Sequence, residues 1–156
     1  MSNEFVVGRT ANILLVEDND NDVELTRMSF KMSKMKVNLF VANDGVECMA
    51  FLRKEGQYAE VPLPDLILLD LNMPRMDGRE VLTQLSLDEQ FRHLPVVILT
   101  TSAEEKEILN MYKLRCSSYI VKPVDFEQFH RAVRTITEYW FEVVVLPNGR
   151  RPNNIG

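Results

Sequence analysis

The sequence predicts an α/β fold, a parallel sheet with helices on both faces, and two observations carry that prediction. Five short apolar stretches of strand length alternate with five segments of helical periodicity, an order that a parallel sheet with crossover helices satisfies. Four of the strands end on residues that a buried strand does not need: Glu17-Asp18, Asp70, Thr100 and Lys122. In a parallel sheet these ends emerge at one edge, where open α/β sheets bind their ligands.

The elements follow in order. After a polar arm at 1–10, Asn12-Ile13-Leu14-Leu15-Val16 reads as the first strand. Asn19-Asp20-Asn21-Asp22 caps a helix expected to turn Val23, Met28 and Met32 inward and to end near Lys34. Residues 37–42 form the second strand, and Asp44 and Glu47 have capping-box spacing at the start of a helix with Val46, Met49 and Leu52 as its stripe. A loop at 55–64 leads to Leu66-Ile67-Leu68-Leu69-Asp70, too short for a typical helix and bounded by Pro and Gly, hence a strand buried on both faces. The turn at 72–78 opens a helix carrying Val81, Leu82 and Leu85. Pro95-Val96-Val97-Ile98-Leu99-Thr100 is another buried strand, and Ser102 with Glu105 starts a helix through Ile108, Leu109 and Tyr112. Residues 117–121 form the last strand and run into Lys122-Pro123. Asp125 and Gln128 cap a final helix whose apolar face is Phe126, Phe129, Val133, Ile136 and Trp140.

The expected organisation is an N-terminal arm at 1–10, one domain at 11–141 and a C-terminal extension at 142–156. Trp140 and Phe141 could cover the domain's own core, but because they follow an otherwise complete fold they are read as a partner surface, and the extension as a candidate arm for a homodimer. A net charge of -5 argues against an electrostatic grip on nucleic acid. No apolar run approaches the roughly 20 residues of a membrane helix, and no signal peptide opens the chain, so a cytoplasmic protein off the membrane is expected. Cys48 and Cys116 lack any metal-binding spacing and read as reduced thiols, while His93 and His130 offer little material for a His-based site.

An ionised Asp70 at the end of a buried strand is costly unless cations, donors or water meet it. Three acids alone would repel one another and raise at least one pKa. A hard divalent cation resolves the conflict, and carboxylates, a carbonyl and waters are what Mg²⁺ prefers. Asp18 and Asp70 are the expected direct ligands, Glu17 acts through water, and the Asn72 carbonyl completes the set. With the Thr100 hydroxyl and Lys122 added, the inventory suits phosphoryl transfer, where positioning and charge neutralisation do most of the work. Asp70 would be the nucleophile and form an aspartyl phosphate. Lys122 would offset charge on the phosphoryl oxygens and Thr100 would donate to one of them, with Thr101 a rival for that role.

Four segments also carry a resemblance. Ile13-Leu14-Leu15-Val16-Glu17-Asp18-Asn19, 65–70 with Met73-Pro74 and Met76-Asp77-Gly78, 95–100, and Tyr119-Ile120-Val121-Lys122-Pro123 resemble the hallmark segments of bacterial response-regulator receiver domains, in order and spacing over 12–140. The resemblance implies a flavodoxin-like (βα)5 doubly wound sheet of strand order 2-1-3-4-5 and phosphoryl transfer from a sensor histidine kinase to Asp70. It also implies switch roles for Thr100 and Tyr119, which couple the site to the face of the fourth helix, fifth strand and fifth helix. A finer similarity, on Leu71-Asn72-Met73-Pro74, Asp77-Gly78-Arg79-Glu80-Val81-Leu82, Leu99-Thr100-Thr101-Ser102, the loop at 55–64 and Tyr139-Trp140-Phe141, is to single-domain regulators of cyanobacterial and other bacterial phytochromes. Three positions depart from the receiver pattern: Arg115-Cys116 stands where Gly-Ala is usual, and Glu17 replaces the commoner Asp.

Other readings are weaker. Asp18-Asn19-Asp20-Asn21-Asp22 starts like a calcium loop, but Val23 and Ser29 occupy the positions that need Gly and Glu. Asp77-Gly78 fits turn and helix-start chemistry better than catalysis. A haloacid-dehalogenase-type phosphatase also uses a strand-end Asp, but pairs it with a second Asp two residues on, where this chain has Asn72. A flavodoxin-like cofactor carrier would need a Gly-rich phosphate loop in place of Glu17-Asp18-Asn19. The expected protein is therefore not a turnover enzyme; it signals through protein contact, and its downstream target is unnamed by the sequence.

Overall fold

The structure is a computed structural model that describes residues 10–33 and 36–143, with the backbone alone at 142 and 143. Its elements are β1 (Ala11–Val16), α1 (Asp20–Lys31), β2 (Val37–Ala42), α2 (Gly45–Leu52), β3 (Leu66–Leu69), α3 (Gly78–Leu87), β4 (Val96–Thr100), α4 (Glu105–Lys113), β5 (Ser118–Val121) and α5 (Phe126–Glu138). A short 3₁₀ turn at Gly56–Tyr58 precedes β3, and a π-type turn at Tyr139–Val143 continues α5. The five strands pair in parallel in the order β2-β1-β3-β4-β5. This is the doubly wound order expected.

The pleat explains the apolar runs. Leu14, Val16, Ile67, Leu69 and Ile98 point to one face, under Met49 and Leu52 of α2, Val81, Leu82 and Leu85 of α3, and Met111 of α4. Ile13, Leu15, Leu66, Leu68, Val97 and Leu99 point to the other, under Val23 and Phe30 of α1 and Phe129, Val133 and Ile136 of α5. Each fully buried Leu or Ile contributes about 1.5–3 kcal/mol, so a polar residue is tolerated only where a strand runs out.

Four helices start on the residues expected to cap them. Asn19, Asp44, Asp77 and Asp125 accept hydrogen bonds from the N–H groups of Asp22, Glu47, Glu80 and Gln128. The fourth helix does not start at Ser102. It begins at Glu105 after Glu104, which makes no side-chain capping bond.

The inward faces of two helices are rotated from those expected. In α1 the buried line is Val23, Thr26, Ser29 and Phe30, whereas Met28 and Met32 are 47% and 60% exposed. Burial of Thr26 and Ser29 is tolerable because their hydroxyls donate to the carbonyls of Asp22 and Leu25 one turn back. The helix ends at Lys31, with Met32 as its C-cap, short of Lys34. In α4 only Met111 is buried, Ile108 is half-buried, and Leu109 and Tyr112 stand 56% and 48% exposed.

Phe141 corrects the expectation of a partner surface. It is 0% exposed and belongs to the core layer of Phe129, Val133 and Ile136, because the π-type turn carries it under that face. Trp140 is half-buried against the same layer, its ring edge-on to the exposed Tyr139. The arm at 1–9 and the extension beyond 143, including the candidate dimer arm, lie outside the described residues. Arg115, at the exit of α4 where receivers usually carry Gly, adopts the left-handed conformation that Gly favours, with φ 70°.

Candidate functional site

Three of the four strand ladders extend by one residue at the same edge. The Glu17 N–H donates to Ala42 O (2.9 Å), Asp70 N–H to Val16 O (3.0 Å) and Lys122 N–H to Thr100 O (2.7 Å). These bonds fix the backbones of three buried charged residues where the apolar strands end. The sheet thus brings together residues drawn from β1, β3, β4 and β5.

One carboxylate oxygen from each of Glu17, Asp18 and Asp70 lies within 4.8 Å of the others. Glu17 and Asp70 are buried and Asp18 is exposed, so the cluster has a closed floor and an open side. Lys122 closes the floor: its Nζ is 2.6 Å from Glu17 Oε1, 2.8 Å from Asp22 Oδ2 and 3.6 Å from Asp70 Oδ2. The second Glu17 oxygen accepts from the N–H of Asn19 at 3.2 Å.

Burial pushes the Glu17 carboxyl up to about 7; the Lys122 hydrogen bond pulls it back, and the Asp70 charge adds to the rise. For Lys122, burial works against the ammonium, but the hydrogen bonds it donates to Asp22 and Glu17 and the charges of Glu17 and Asp70 outweigh it and raise the pKa. Lys122 is therefore held as a cation among acids. The donor set is all oxygen, with one acid open to solvent, and it fits a hard divalent cation that keeps some of its waters.

Thr100 is fully buried at the end of β4, and its Oγ1 has no hydrogen-bond partner among the described residues. A buried hydroxyl left in that state costs about 1–3 kcal/mol, which an anionic oxygen at the site would offset. Thr101 is exposed, so the strand's alternation separates the two rivals. Tyr119 is half-buried in β5; its hydroxyl donates to Ser102 O at 2.9 Å and its N–H donates to the Tyr112 hydroxyl at 3.1 Å. Burial raises the Tyr119 pKa.

The turn behind Asp70 is built for close approach. The Gly78 N–H donates to Leu71 O at 3.0 Å, and a methyl group on Gly78 would collide with the Asp70 carbonyl and Leu71 Cα. Asn72 is exposed, its side-chain oxygen 3.5 Å from Arg79 Nη2. Arg75, at φ 62°, reaches back to Asp44 Oδ2 (2.7 Å) and Glu47 Oε2 (3.5 Å) at the start of α2.

Sequence reasoning missed two residues here. Asp22 was read only as part of a cap; its N–H does serve the Asn19 cap, but its side chain binds Lys122. Its position in the first turn after β1, beside the same sheet edge, was the available signal. Arg79 entered only as part of a resemblance, yet its guanidinium contacts Glu107 on α4 as well as the turn.

Comparisons with known proteins agree with this geometry. The family model described as the response regulator receiver domain matches residues 13–134. The chain is similar to the response regulator Rcp1 of Synechocystis sp., 40% identical over 135 residues that span 86% of this chain and 92% of that protein. It is similar in structure to the phosphorylated cyanobacterial phytochrome response regulator RcpA, with a TM-score of 0.85 and 41% identity over 88% of this chain and 99% of the other. The Mn²⁺-bound form of Rcp1 gives a TM-score of 0.83 and 39% identity, again over 88% and 99% of the two chains.

Proposed function

The chain belongs to the response regulator receiver domain family, and from that premise we propose that it accepts a phosphoryl group on Asp70 from a histidine kinase and passes the signal on by protein contact. The observation that carries the proposal is the meeting of Asp70 with Glu17, Asp18 and the Lys122 ammonium at one sheet edge.

In the transfer, an Asp70 carboxylate oxygen forms the new P–O bond as the P–N bond to the kinase histidine breaks, and the displaced nitrogen keeps the electron pair. Lys122, 3.6 Å from Asp70, offsets charge on the phosphoryl oxygens. Thr100 Oγ1 supplies a donor to one of them. Glu17 and Asp18, with Asp70 and the Asn72 carbonyl, would hold Mg²⁺, which neutralises phosphoryl charge when bound. Hydrolysis by an in-line water regenerates the carboxylate, so the domain resets itself and turns over no separate substrate.

A phytochrome-type kinase as the source is supported by the similarity to RcpA and Rcp1. Such a kinase's transmitter meets its regulator in the cytoplasm, where we place this chain. No described helix is long and apolar enough to cross a membrane. For self-association, burial of Phe141 leaves Trp140 and Tyr139 as the aromatic surface at this end. The deciding experiment is mass spectrometry after treatment with acetyl phosphate and Mg²⁺. A phosphoryl adduct that is absent from Asp70→Asn is expected; no adduct, or one that survives the substitution, overturns the assignment.

A further inference from the structure

We propose that Arg79 is a positioning residue that ties the turn behind Asp70 to α4, so that charge at the site sets how firmly α4 is held. The inference rests on Asp70 being the phosphoacceptor. Arg79 lies in the first turn of α3, and among the described residues it is the one side chain hydrogen-bonded to both the turn and α4. Its Nε donates to Glu107 Oε2 at 2.6 Å, and Nη2 closes on the same oxygen. Toward the turn the contacts are long: Nη1 is 3.4 Å from Leu71 O and 3.5 Å from Asp77 Oδ2, and Nη2 is 3.5 Å from the Asn72 side-chain oxygen. Contacts of that length are weak, whereas the Glu107 pair is short and partly buried.

This asymmetry makes the fork responsive. A guanidinium carries five donors in one rigid plane and can shift its share between two sets of acceptors. Phosphorylation adds about -1.5 to -2 charges at a residue one and two positions from Leu71 and Asn72. Arg79 would then be drawn toward the turn at the expense of Glu107.

The other flank of the turn offers no such freedom. Arg75 joins it to Asp44 and Glu47, but there the Gly45 N–H also donates to Met76 O at 2.8 Å, and a methyl group on Gly45 would collide with Met76. The turn is clamped at α2. At α4 the counterpart is a helix with a single buried residue, Met111, whose one ion pair to another element among the described residues is Glu107–Arg79.

The test follows amide hydrogen exchange of α4 in the full chain, with Mg²⁺ and with or without acetyl phosphate, while mass spectrometry of the same samples reports the adduct. Wild type is expected to show a severalfold change in α4 exchange on phosphorylation. Arg79→Ala and Glu107→Gln are expected to form the adduct yet lose that change. The double charge swap, Arg79→Glu with Glu107→Arg, re-forms an ion pair without a guanidinium at the turn and is expected to leave the response absent. A wild-type response in either single variant, or its recovery in the swap, overturns the relay in favour of a plain strut. An adduct without any α4 response in wild type overturns the inference alone; absence of the adduct in wild type overturns the phosphoacceptor assignment beneath it.

Discussion

At the scale of single residues the site is a balance of unlike charges in poor solvent. Glu17 and Asp70 repel each other, and Lys122 is the buried cation that makes their proximity tolerable. With a chelator present, Asp70→Asn should therefore raise stability toward urea, by about 1 kcal/mol, because it removes a charge that opposes Glu17. Lys122→Met should lower it by about 3 kcal/mol, the low end for a broken buried pair, since Glu17 can take up a proton near neutral pH. Urea midpoints that move the opposite way for either variant would remove this account. Glu17, Asp18, Asp70, Thr100 and Lys122 could be picked out from sequence because a polar residue ending an apolar strand is conspicuous and parallel strands share one edge. Asp22 offered only its place in the first turn after β1, and Arg79 offered nothing, since the direction of a helical side chain toward a distant partner is set by packing that the one-dimensional pattern does not contain.

At the scale of elements, polar helix ends are legible in the sequence where apolar helix faces are not. The caps at Asn19, Asp44, Asp77 and Asp125 depend on a few adjacent residues and were legible. The rotation of α1 and α4 depends on what the sheet presents, so Met28 and Leu109 point outward despite their hydrophobicity. Asp44 couples the two kinds of information. Burial alone would raise its pKa, but the Arg75 hydrogen bond, the capping N–H of Glu47 and the Arg75 charge hold it below the ordinary carboxylate value. A lowered folded pKa gives stability that is present above the unfolded value of about 3.9 and is lost as pH falls through the folded one. The stability gap between wild type and Asp44→Asn should accordingly close below about pH 4, as followed by denaturation at stepped pH. Phe141→Ala should cost about 3 kcal/mol or more through the cavity left beside Phe129 and Ile136. That loss should be the same at every protein concentration, whereas an interface residue would show a concentration-dependent loss.

At the scale of the whole molecule, the strand order was implied by a resemblance and is seen in the pairing. The alternation of strand and helix could specify a parallel sheet but not which strand lies beside which; β3 at the centre, bonded to β1 and β4, is what makes the site one place. Lys122 and Glu17 meet across 105 positions of sequence. Such a contact forms only after the intervening strands have docked, and closures of that span come late and slowly in parallel sheets. The conflict among the acids should thus be met only near the native state. Substitutions at Asp70 and Lys122 should leave the refolding limb of a chevron nearly unmoved and shift the unfolding limb. The half-life of the folded chain, rather than the ease of reaching it, is what the charged edge of the sheet controls.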